Sequence, residues 1–472
     1  MSVATEYAGA ATRDWVLGEL GSLLGDRLST TPAVLEQHGH DESHHPTLPP
    51  DAVAFVRSTE EVSAILALCH AAHVPVVPFG AGTSLEGGVS APFGGISIDL
   101  SEMSQILAVS TEDMDAIVQA GVTHGQLNRQ VRSQGVFFSV DPGADASLGG
   151  MCATRASGTT AVRYGTMREN VLGLTAVLAD GTILRTGGRA RKSAAGYDLT
   201  HLLIGSEGTL AVITEVIVRL HPTPETVHAA SCSFPELQAA VSSVVAVLQS
   251  GIVPARVELL DEVMVDALAG YGGPRLTPGP AVFFELHGGP AGVAENLATI
   301  ATLVADFGGT DFAAAATEDE RRALWRARHD ALPAARALLP GASTWSTDVC
   351  VPLARLVECL LQTKQDVERS GLLAPIAGHV GDGNFHLAFV VDLSDTEEMA
   401  RAHRVNDAMV QRALAMGGTC TGEHGVGLGK TEHLAAEAGP ALEAMRRVKD
   451  ALDPQGILNP GKLFTAEAIL TY

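Results

Sequence analysis

The sequence has no paired cysteines and no long apolar run. Its six cysteines are dispersed, and no two of them form a C-x-x-C pair. Iron–sulfur ligation and a disulfide framework are therefore not expected, and reduced thiols are the simplest interpretation. No stretch approaches the roughly 18 consecutive apolar residues that a membrane span needs, so any membrane association should be peripheral.

Basic residues are also scarce. The chain has 31 Lys and Arg against 54 Asp and Glu, which gives a net charge of −23. This balance argues against nucleic acid as a partner and against general adhesion to anionic lipid. Residues 1–13 contain no apolar core of signal-peptide length and are not rich in arginine. We therefore expect a cytoplasmic protein, with any membrane association at the inner face of the membrane.

The length and the residue pattern predict a multidomain α+β protein. A chain of 472 residues is long for one hydrophobic core, so two or three domains are expected. After a helical lead-in, the periodicity predicts a strand at 52–57, a helix at 59–73 and a strand at 74–79. Ser58 and Glu61 are spaced as a capping box for that helix.

A glycine-rich loop, residues 80–88, follows the second of these strands. Such a loop brings backbone N–H groups close to a diphosphate, and the hydroxyls of Thr83 and Ser84 add donors. It is not the Rossmann fingerprint, because Leu85 occupies the place of the third glycine and residues 96–100 alternate like a strand. The pattern therefore disfavours a nicotinamide cofactor.

Two further loop-rich segments, residues 141–165 and 196–210, are dense in glycine, alanine and hydroxyl side chains. Small residues allow another group to approach the backbone closely. Each segment alone is also compatible with an ordinary cluster of turns. Three of them in one α+β region indicate a large cofactor that has both a diphosphate and a ring system.

Near the C-terminal end, a possible hairpin carries candidate metal ligands. If 381–384 form a tight turn, as Gly, Asp and Asn favour, His379 lies directly opposite His386. Paired residues have Cβ atoms about 4.5–5.5 Å apart. In one continuous strand the same odd spacing would place the rings on opposite faces. Glu423 would supply a third ligand.

Two imidazoles and one carboxylate, with positions left open, are typical of a catalytic divalent site, here for Zn or Mn. His424 is a candidate base, because an unperturbed imidazole titrates near pH 6.5. The alternative interpretation is a glycine-rich hairpin with two incidental histidines.

The three loop-rich segments resemble a known flavoprotein superfamily. The motifs Pro78–Ser84, Asp141–Gly150 and Gly205–Leu210 are similar to the FAD-binding domain of the vanillyl-alcohol oxidase and p-cresol methylhydroxylase superfamily. The resemblance implies FAD contacts at Pro78, Gly80, Ala81, Gly82, Thr83, Ser84, Gly87, Asp141, Pro142, Gly143, Ser147, Gly149, Gly150, Thr154, Ser157, Gly158, Glu207, Gly208, Ile213 and Asn459. FAD should be noncovalent, because 78–88 contain no histidine for a covalent bond.

The later motifs resemble the branch of that superfamily that oxidises D-2-hydroxy acids. They are Gly378–His386, Thr421–Gly427 and Asp453–Lys462, while Ser346–Pro352 is most similar to the FAD-dependent D-lactate dehydrogenases. The resemblance implies that Arg328 binds the substrate carboxylate. The alternative for Arg328 is a solvated arginine on a helix surface.

The resemblance implies an α+β fold with a two-part, PCMH-type FAD-binding domain. A cap built on an antiparallel, ferredoxin-like sheet with helices on one side follows it, and the chain then makes a C-terminal helical return. A long helix is predicted near 317–338. The expected divisions are a lead-in at 1–45, the FAD-binding domain at 46–222, the cap with its substrate and metal site at 223–425, and the return at 426–472.

The expected function is an FAD- and divalent-metal-dependent oxidation of D-lactate or a similar small D-2-hydroxy acid. Electrons would pass to a cytochrome, a quinone or another flavoprotein. The oligomeric state is left open, with a homodimer as one alternative. D-2-hydroxyglutarate is disfavoured, because relatives that accept it place threonine where this chain has Leu332 and lysine where it has Ser346. Open alternatives are D-2-hydroxyglutarate dehydrogenase, the flavin subunit of a glycolate oxidase-type complex with separate iron–sulfur subunits, and a lyase-like flavoprotein without net oxidation.

Overall fold

A computed structural model describes residues 7–273, 276–315 and 317–464. The outermost parts of the predicted divisions 1–45 and 426–472 lie outside these residues. The described residues form two compact units. Unit 1 takes those within 1–156, 166–222 and 423–472, and unit 2 takes those within 157–165 and 223–422. The four-part division from the sequence stays a prediction.

In chain order, the strands are β1 (Leu28–Ser29), β2 (Ala52–Phe55), β3 (Val76–Phe79), β4 (Ile96–Asp99), β5 (Ile106–Ser110), β6 (Asp115–Gln119), β7 (Val136–Phe137), β8 (Val171–Val177), β9 (Ile183–Gly187), β10 (Val212–Arg219), β11 (His221–Pro222), β12 (Thr226–Ser233), β13 (Arg256–Leu260), β14 (Ala281–Gly288), β15 (Thr310–Ala315), β16 (Ser343–Ser346), β17 (Val349–Cys350), β18 (Ile376–Gly378) and β19 (Asn384–Val391).

The α-helices lie before the first of these strands, between groups of strands and after the last one, and two short 3₁₀ turns occupy Gly25–Arg27 and Arg132–Gln134. The helices are α1 (Ala10–Leu24), α2 (Pro32–Gln37), α3 (Thr59–Ala72), α4 (His124–Val131), α5 (Leu148–Thr154), α6 (Ala161–Tyr164), α7 (Met167–Asn170), α8 (Leu199–Leu203), α9 (Leu237–Gln249), α10 (Glu262–Gly270), α11 (Pro290–Asp306), α12 (Glu318–His329), α13 (Ala331–Ala337), α14 (Leu353–Ser370), α15 (Thr396–Ala415), α16 (Thr431–Ala438) and α17 (Ala441–Leu452).

Unit 1 contains two main sheets. The first has the order β1-β2-β4-β3, in which β4 runs parallel to both β2 and β3. The second is antiparallel, with the order β5-β6-β10-β8-β9. Helix α3 buries Val62, Ile65, Leu66 and Cys69, which recur at the spacing of one helix face. That apolar face belongs to the core that also includes β2 and β4.

The predicted cap on α3 is only half formed. The Ser58 hydroxyl accepts a hydrogen bond from the Glu61 amide, as a capping box requires. The Glu61 carboxylate, however, accepts from the Arg57 amide and pairs with Arg27 at 2.6 Å. Glu61 is therefore engaged by Arg27, a residue distant in sequence, and does not complete the capping box.

Unit 2 is built on one antiparallel sheet with the order β15-β12-β14-β13-β18-β19-β16, to which β17 adds beside β19. Successive residues of β14 enter different cores: Phe284 packs with α9 and α14, and Phe283 packs with α10 and α13. Because neighbouring strand residues point to opposite faces, helices cover both faces of this sheet. The expectation of helices on one side is therefore wrong.

The predicted long helix at 317–338 is two helices. Helix α12 ends at His329 and α13 begins at Ala331. Pro333 has no N–H to bond a carbonyl in the preceding turn, so a continuous helix cannot pass through it. The proline is tolerated in the first turn of α13.

The predicted hairpin is present, but its register differs. β18 and β19 pair Ala377 with His386 and Ile376 with Leu387, so His379 is not directly opposite His386. The turn lies between His379 and Asn384, whose amide donates to the His379 carbonyl at 3.3 Å. Because His379 is two residues beyond Ala377, both histidines keep the same face of the hairpin. His379 and His386 are therefore diagonal neighbours on one face of the hairpin.

We expect Gly383→Ala to destabilise unit 2 more than Gly371→Ala does. Both glycines have positive φ, at +83° and +68°, which costs an alanine about 1–2 kcal/mol. A methyl group at Gly371 would enter open space, whereas at Gly383 it would overlap the Val351 carbonyl oxygen. Overpacking should add about 1–3 kcal/mol at Gly383. Equal losses of thermal midpoint would show that the turn can move away from Val351.

Candidate active site

The glycine-rich loop after β3 packs closely on the second loop-rich segment within unit 1. A Cβ on Gly80 would overlap the hydroxyl oxygen of Ser147, the residue that caps α5. On the other side, a Cβ on Gly208 would lie 2.8 Å from the Pro78 ring. All three loops therefore approach one another closely here, in a cradle that larger side chains would fill.

Asn459 ties the first and third loops together. Its side-chain amide donates to the Gly88 carbonyl at 3.1 Å and to the Glu207 carbonyl at 2.7 Å. The buried Lys462 amine donates to the Asn459 side-chain oxygen at 3.1 Å and to the Ser90 carbonyl at 2.6 Å. Burial lowers the pKa of Lys462 to about 7, although Glu207 and Asp41 oppose the shift.

A residue of the N-terminal region also braces the first loop. The Asp41 carboxylate accepts from the Ser84 hydroxyl at 2.6 Å and from the Gly88 amide at 2.8 Å. It thereby satisfies loop donors that would otherwise be open. The sequence showed no signal for this contact, which joins residues more than forty positions apart.

Most of the predicted FAD contacts lie in unit 1. Thr154 donates to the Gly150 carbonyl, and Ile213 is buried in β10. Ser157 and Gly158 belong to the segment grouped with unit 2. The other predicted contacts, all in unit 1, are Ala81, Gly82, Thr83, Gly87, Asp141, Pro142, Gly143 and Gly149.

In unit 2 the hairpin places His379 and His386 side by side. Their ring centroids are 5.4 Å apart, the rings are nearly perpendicular, and both residues are buried. A possible ligand nitrogen of one lies within 4.8 Å of such a nitrogen of the other. The two imidazoles are thus spaced to share one cation.

Each of these histidines has its Nδ1 atom held by an oxygen. His379 Nδ1 is 2.6 Å from Glu258 Oε1, and His386 Nδ1 is 2.9 Å from the Thr347 carbonyl oxygen. Since carboxylate and carbonyl oxygens accept, Nδ1 is the donor in both rings, and Nε2 is the nitrogen able to bind a metal. Histidines that bind metals commonly have this arrangement.

Arg328 is not a solvated surface residue. Its Nε donates to Glu258 Oε2 at 2.7 Å, and its side chain is 16% exposed. Glu258 therefore uses one oxygen for His379 and the other for Arg328. Burial favours a higher pKa for Glu258, but these two partners outweigh it and lower the pKa below its usual value.

A second buried carboxylate, Asp348, supports the hairpin. It accepts from the Asn384 side-chain amide at 2.6 Å and from the Thr421 hydroxyl at 2.7 Å, and it lies 3.6 Å from His386 Nδ1. Asn384 also donates to the Val349 carbonyl, so it ties the end of the turn to β17.

The chain re-enters unit 1 at Glu423. The Glu207 carboxylate accepts from the amides of Val426 and Gly427, at 2.7 and 2.8 Å. Burial raises the pKa of Glu207, and the two amides oppose that shift. This contact fixes the backbone just after the predicted base, His424.

His424 lies beside a buried ion pair of unit 1. Its Nδ1 is 3.9 Å from Glu86 Oε1, and the same oxygen is 2.9 Å from Lys430 Nζ. Glu86 comes from the first glycine-rich loop, so that loop contacts the segment that carries His424.

Sequence reasoning missed Glu258, Glu86 and the clamp that Glu207 makes. The available signal for Glu258 was a charged residue between the apolar residues Val257 and Leu259. Such a residue needs a buried partner. The pattern could not identify that partner, because His379 is 121 positions away.

Two family models match the chain. The model described as FAD binding domain matches residues 50–187, and the model described as FAD linked oxidases, C-terminal domain, matches residues 223–463. They cover the glycine-rich loop and the histidine hairpin, respectively.

Two proteins named as D-lactate dehydrogenases are among the curated relatives that match almost the whole chain. A protein of Danio rerio named probable D-lactate dehydrogenase, mitochondrial, is 51% identical over 97% of this chain and 93% of its own length. A protein of Arabidopsis thaliana named D-lactate dehydrogenase (cytochrome), mitochondrial, is 46% identical over 95% of this chain and 80% of its own length. The expectation of a cytoplasmic location is therefore wrong, since these relatives are named mitochondrial.

The solved structure of p-cresol methylhydroxylase with substrate bound has the same fold. Its TM-score is 0.81 at 18% identity, with coverage of 98% of this chain and 99% of that one. This likeness and the sheets described above confirm the predicted PCMH-type α+β fold. Among the described residues, no helix has both the length and the apolar composition for crossing a membrane.

We expect Glu207→Gln to loosen the segment that carries His424. Each carboxylate oxygen now accepts one amide, and glutamine replaces one of these oxygens with an NH₂ group, which would face the N–H of Val426 or Gly427 as donor against donor. Hydrogen exchange in a peptide covering 423–430 should speed up, while Glu215→Gln should leave it unchanged. Glu215 is a matched control, because its carboxylate in β10 accepts from the Thr175 hydroxyl instead. Wild-type exchange in Glu207→Gln would contradict the clamp.

Proposed function

Because the chain belongs to the FAD-linked oxidase family that includes the FAD-dependent D-lactate dehydrogenases, we propose that it oxidises D-lactate to the 2-oxo acid. FAD is the cofactor of this family, and the cradle of unit 1 fits it. Backbone atoms there approach closely at Gly80 and Gly208, and hydroxyl side chains supply donors. No histidine occurs in 78–88, which supports noncovalent binding.

The observation that carries the catalytic part of the proposal is the histidine hairpin. His379 and His386 share one face, and each has its Nδ1 held by an oxygen. This donor set fits a divalent cation such as Zn or Mn. Glu423, which belongs to the motif Thr421–Gly427, is proposed as the carboxylate that completes the ligand set.

The substrate would be bound and oriented by charged groups of the chain. Since Arg328 Nε is occupied by Glu258, the two terminal nitrogens of the guanidinium are the donors for the substrate carboxylate. Their fork geometry matches two carboxylate oxygens. Arg328 would thereby fix the carboxylate, and the contact of the hydroxyl with His424 would then set which face of the substrate's second carbon is presented.

His424 would take the proton from the substrate hydroxyl. A neutral imidazole is suited to this step near neutral pH. The bound cation would make that hydroxyl more acidic. FAD would accept the hydride from the carbon that carries the hydroxyl. Glu86 and Lys430 would keep the imidazole in place from within unit 1.

We propose a small monocarboxylate as the substrate. By resemblance to relatives, Leu332 on α13 and Ser346 at the end of β16 would lie beside the far end of the substrate. Leu332 offers no hydrogen bond, and Ser346 offers no charge. A second carboxylate beside them would lose its water without gaining an adequate partner. The methyl group of lactate would instead contact Leu332. The electron acceptor would be a cytochrome, a quinone or another carrier.

Anaerobic D-lactate should bleach the bound flavin, with kcat/KM well above that for D-2-hydroxyglutarate. The reason is that the second carboxylate of D-2-hydroxyglutarate would lose its water and find no adequate partner at Leu332 and Ser346. Flavin absorbance after mixing with a panel that includes glycolate gives the measurement. A preference for the dicarboxylate or for glycolate would overturn the D-lactate assignment. Absence of bleaching by every 2-hydroxy acid would overturn the oxidation itself.

His424→Asn should slow flavin reduction by D-lactate about 10²- to 10⁴-fold, the usual share of a positioned base. Substrate binding should persist, because the carboxylate is assigned to Arg328. His433→Asn, the same substitution in α16, serves as the matched control and should reduce at the wild-type rate. Anaerobic stopped-flow absorbance measures both, and rapid reduction in His424→Asn would remove this residue from the mechanism.

A further inference from the structure

The buried glutamate of β13 has a nearly identical counterpart on β14. Glu258 and Glu285 are both buried, and their strands pair Arg256 with Glu285 and Glu258 with Phe283. Because Glu258 is two residues beyond Arg256, the two carboxylates extend from the same face of the sheet. One face of unit 2 thus carries two carboxylates on neighbouring strands.

Helix α12 contacts both carboxylates. Arg328 donates to Glu258 Oε2 at 2.7 Å, and the Trp325 indole N–H donates to Glu285 Oε2 at 2.5 Å. The two donors are three positions apart, so they share one face of the helix. The helix is therefore fixed against the sheet by two buried polar contacts.

Each carboxylate also holds a histidine. Glu285 Oε1 is 2.9 Å from His287 Nε2, whose ring in turn contacts the Tyr164 hydroxyl at 2.8 Å. Glu258 Oε1 is 2.6 Å from His379 Nδ1. Both sites thus contain one buried glutamate, one histidine and one donor from α12, and Glu285 also has Arg256 at 3.6 Å. Only His379 belongs to the proposed ligand set.

We infer that Glu258 is a positioning residue that orients His379 for a divalent cation and links that histidine to Arg328. The inference rests on the proposed function for the cation. The carboxylate accepts the Nδ1 proton, so Nε2 keeps its lone pair for the metal, and the negative charge makes the imidazole a stronger ligand. Its other oxygen holds Arg328 and so sets the guanidinium at a fixed place relative to His379.

Glu258→Gln tests this with little change in shape. The glutamine oxygen can still accept from His379, but its NH₂ group would face the Nε–H of Arg328, so one donor meets another. The variant therefore removes the charge and the link to Arg328. Glu285→Gln makes the same change at the matched site.

The measurement is Mn²⁺ binding to the full-length, FAD-loaded protein after removal of metal by chelation. Free Mn²⁺ is followed by its electron paramagnetic resonance signal, which does not depend on turnover. Glu258→Gln should weaken binding about 10- to 100-fold, the usual loss when such a partner is removed. Glu285→Gln should bind like the wild type. KM for D-lactate should rise in Glu258→Gln only.

The outcomes separate the inference from the proposed function. Wild-type Mn²⁺ affinity in Glu258→Gln, or an equal loss in Glu285→Gln, would overturn the role of Glu258 and leave the proposed function standing. Absence of Mn²⁺ and Zn²⁺ binding by the wild type would overturn the metal site, and the inference with it. If Glu258→Gln loses its fold, Glu258→Asp is the second variant. It keeps the charge but cannot span both partners, so it should also bind Mn²⁺ more weakly, and unchanged affinity would overturn the inference.

Discussion

A carboxylate buried inside a β-sheet is the constraint on which the chemistry proposed for unit 2 depends. Glu258 has no exposed surface, and an ion in that position is costly unless both oxygens find partners. Its two partners are a hairpin histidine and an arginine of α12. Satisfying Glu258 therefore positions, by the same two contacts, a proposed metal ligand and the proposed substrate-binding arginine.

In unit 1, the loops that lack regular secondary structure are held in place by close backbone packing and side-chain hydrogen bonds. Glycines let the loop backbones approach closely, and buried side chains then bond the exposed carbonyls. Asn459 bonds Gly88 and Glu207, while Lys462 bonds Ser90. These bonds run from the C-terminal segment back to the first and third loops. The C-terminal segment of unit 1 therefore helps to hold the cradle.

Local pattern predicted much of this arrangement. The strand-helix-strand unit before the first loop follows from apolar periodicity, and its helix is α3, as expected. Glycine density located the loops, and the spacing of His379 and His386 located the hairpin. Two errors have local causes that were visible: Pro333 interrupts the long helix, and the turn begins at His379 instead of Gly381.

Other features could not be predicted from local pattern. Glu258 contacts His379, which is 121 positions away, and Glu61 pairs with Arg27 instead of completing the capping box. Tertiary packing decides such pairings, because any compatible partner in the chain competes for the same carboxylate. The likeness of Glu258 and Glu285 is equally invisible in sequence, since it depends on strand register and on one face of α12.

The segment that carries His424 shows how contacts of the backbone can set the position of a proposed catalytic group. The amides of Val426 and Gly427 donate to Glu207, and the Leu428 amide donates to the Glu86 carbonyl. A side chain at position 427 would overlap that carbonyl, so glycine is required there. The first two bonds depend on the Glu207 side chain, whereas the bond to Glu86 joins backbone atoms only. Together these bonds fix the path of the chain directly after His424.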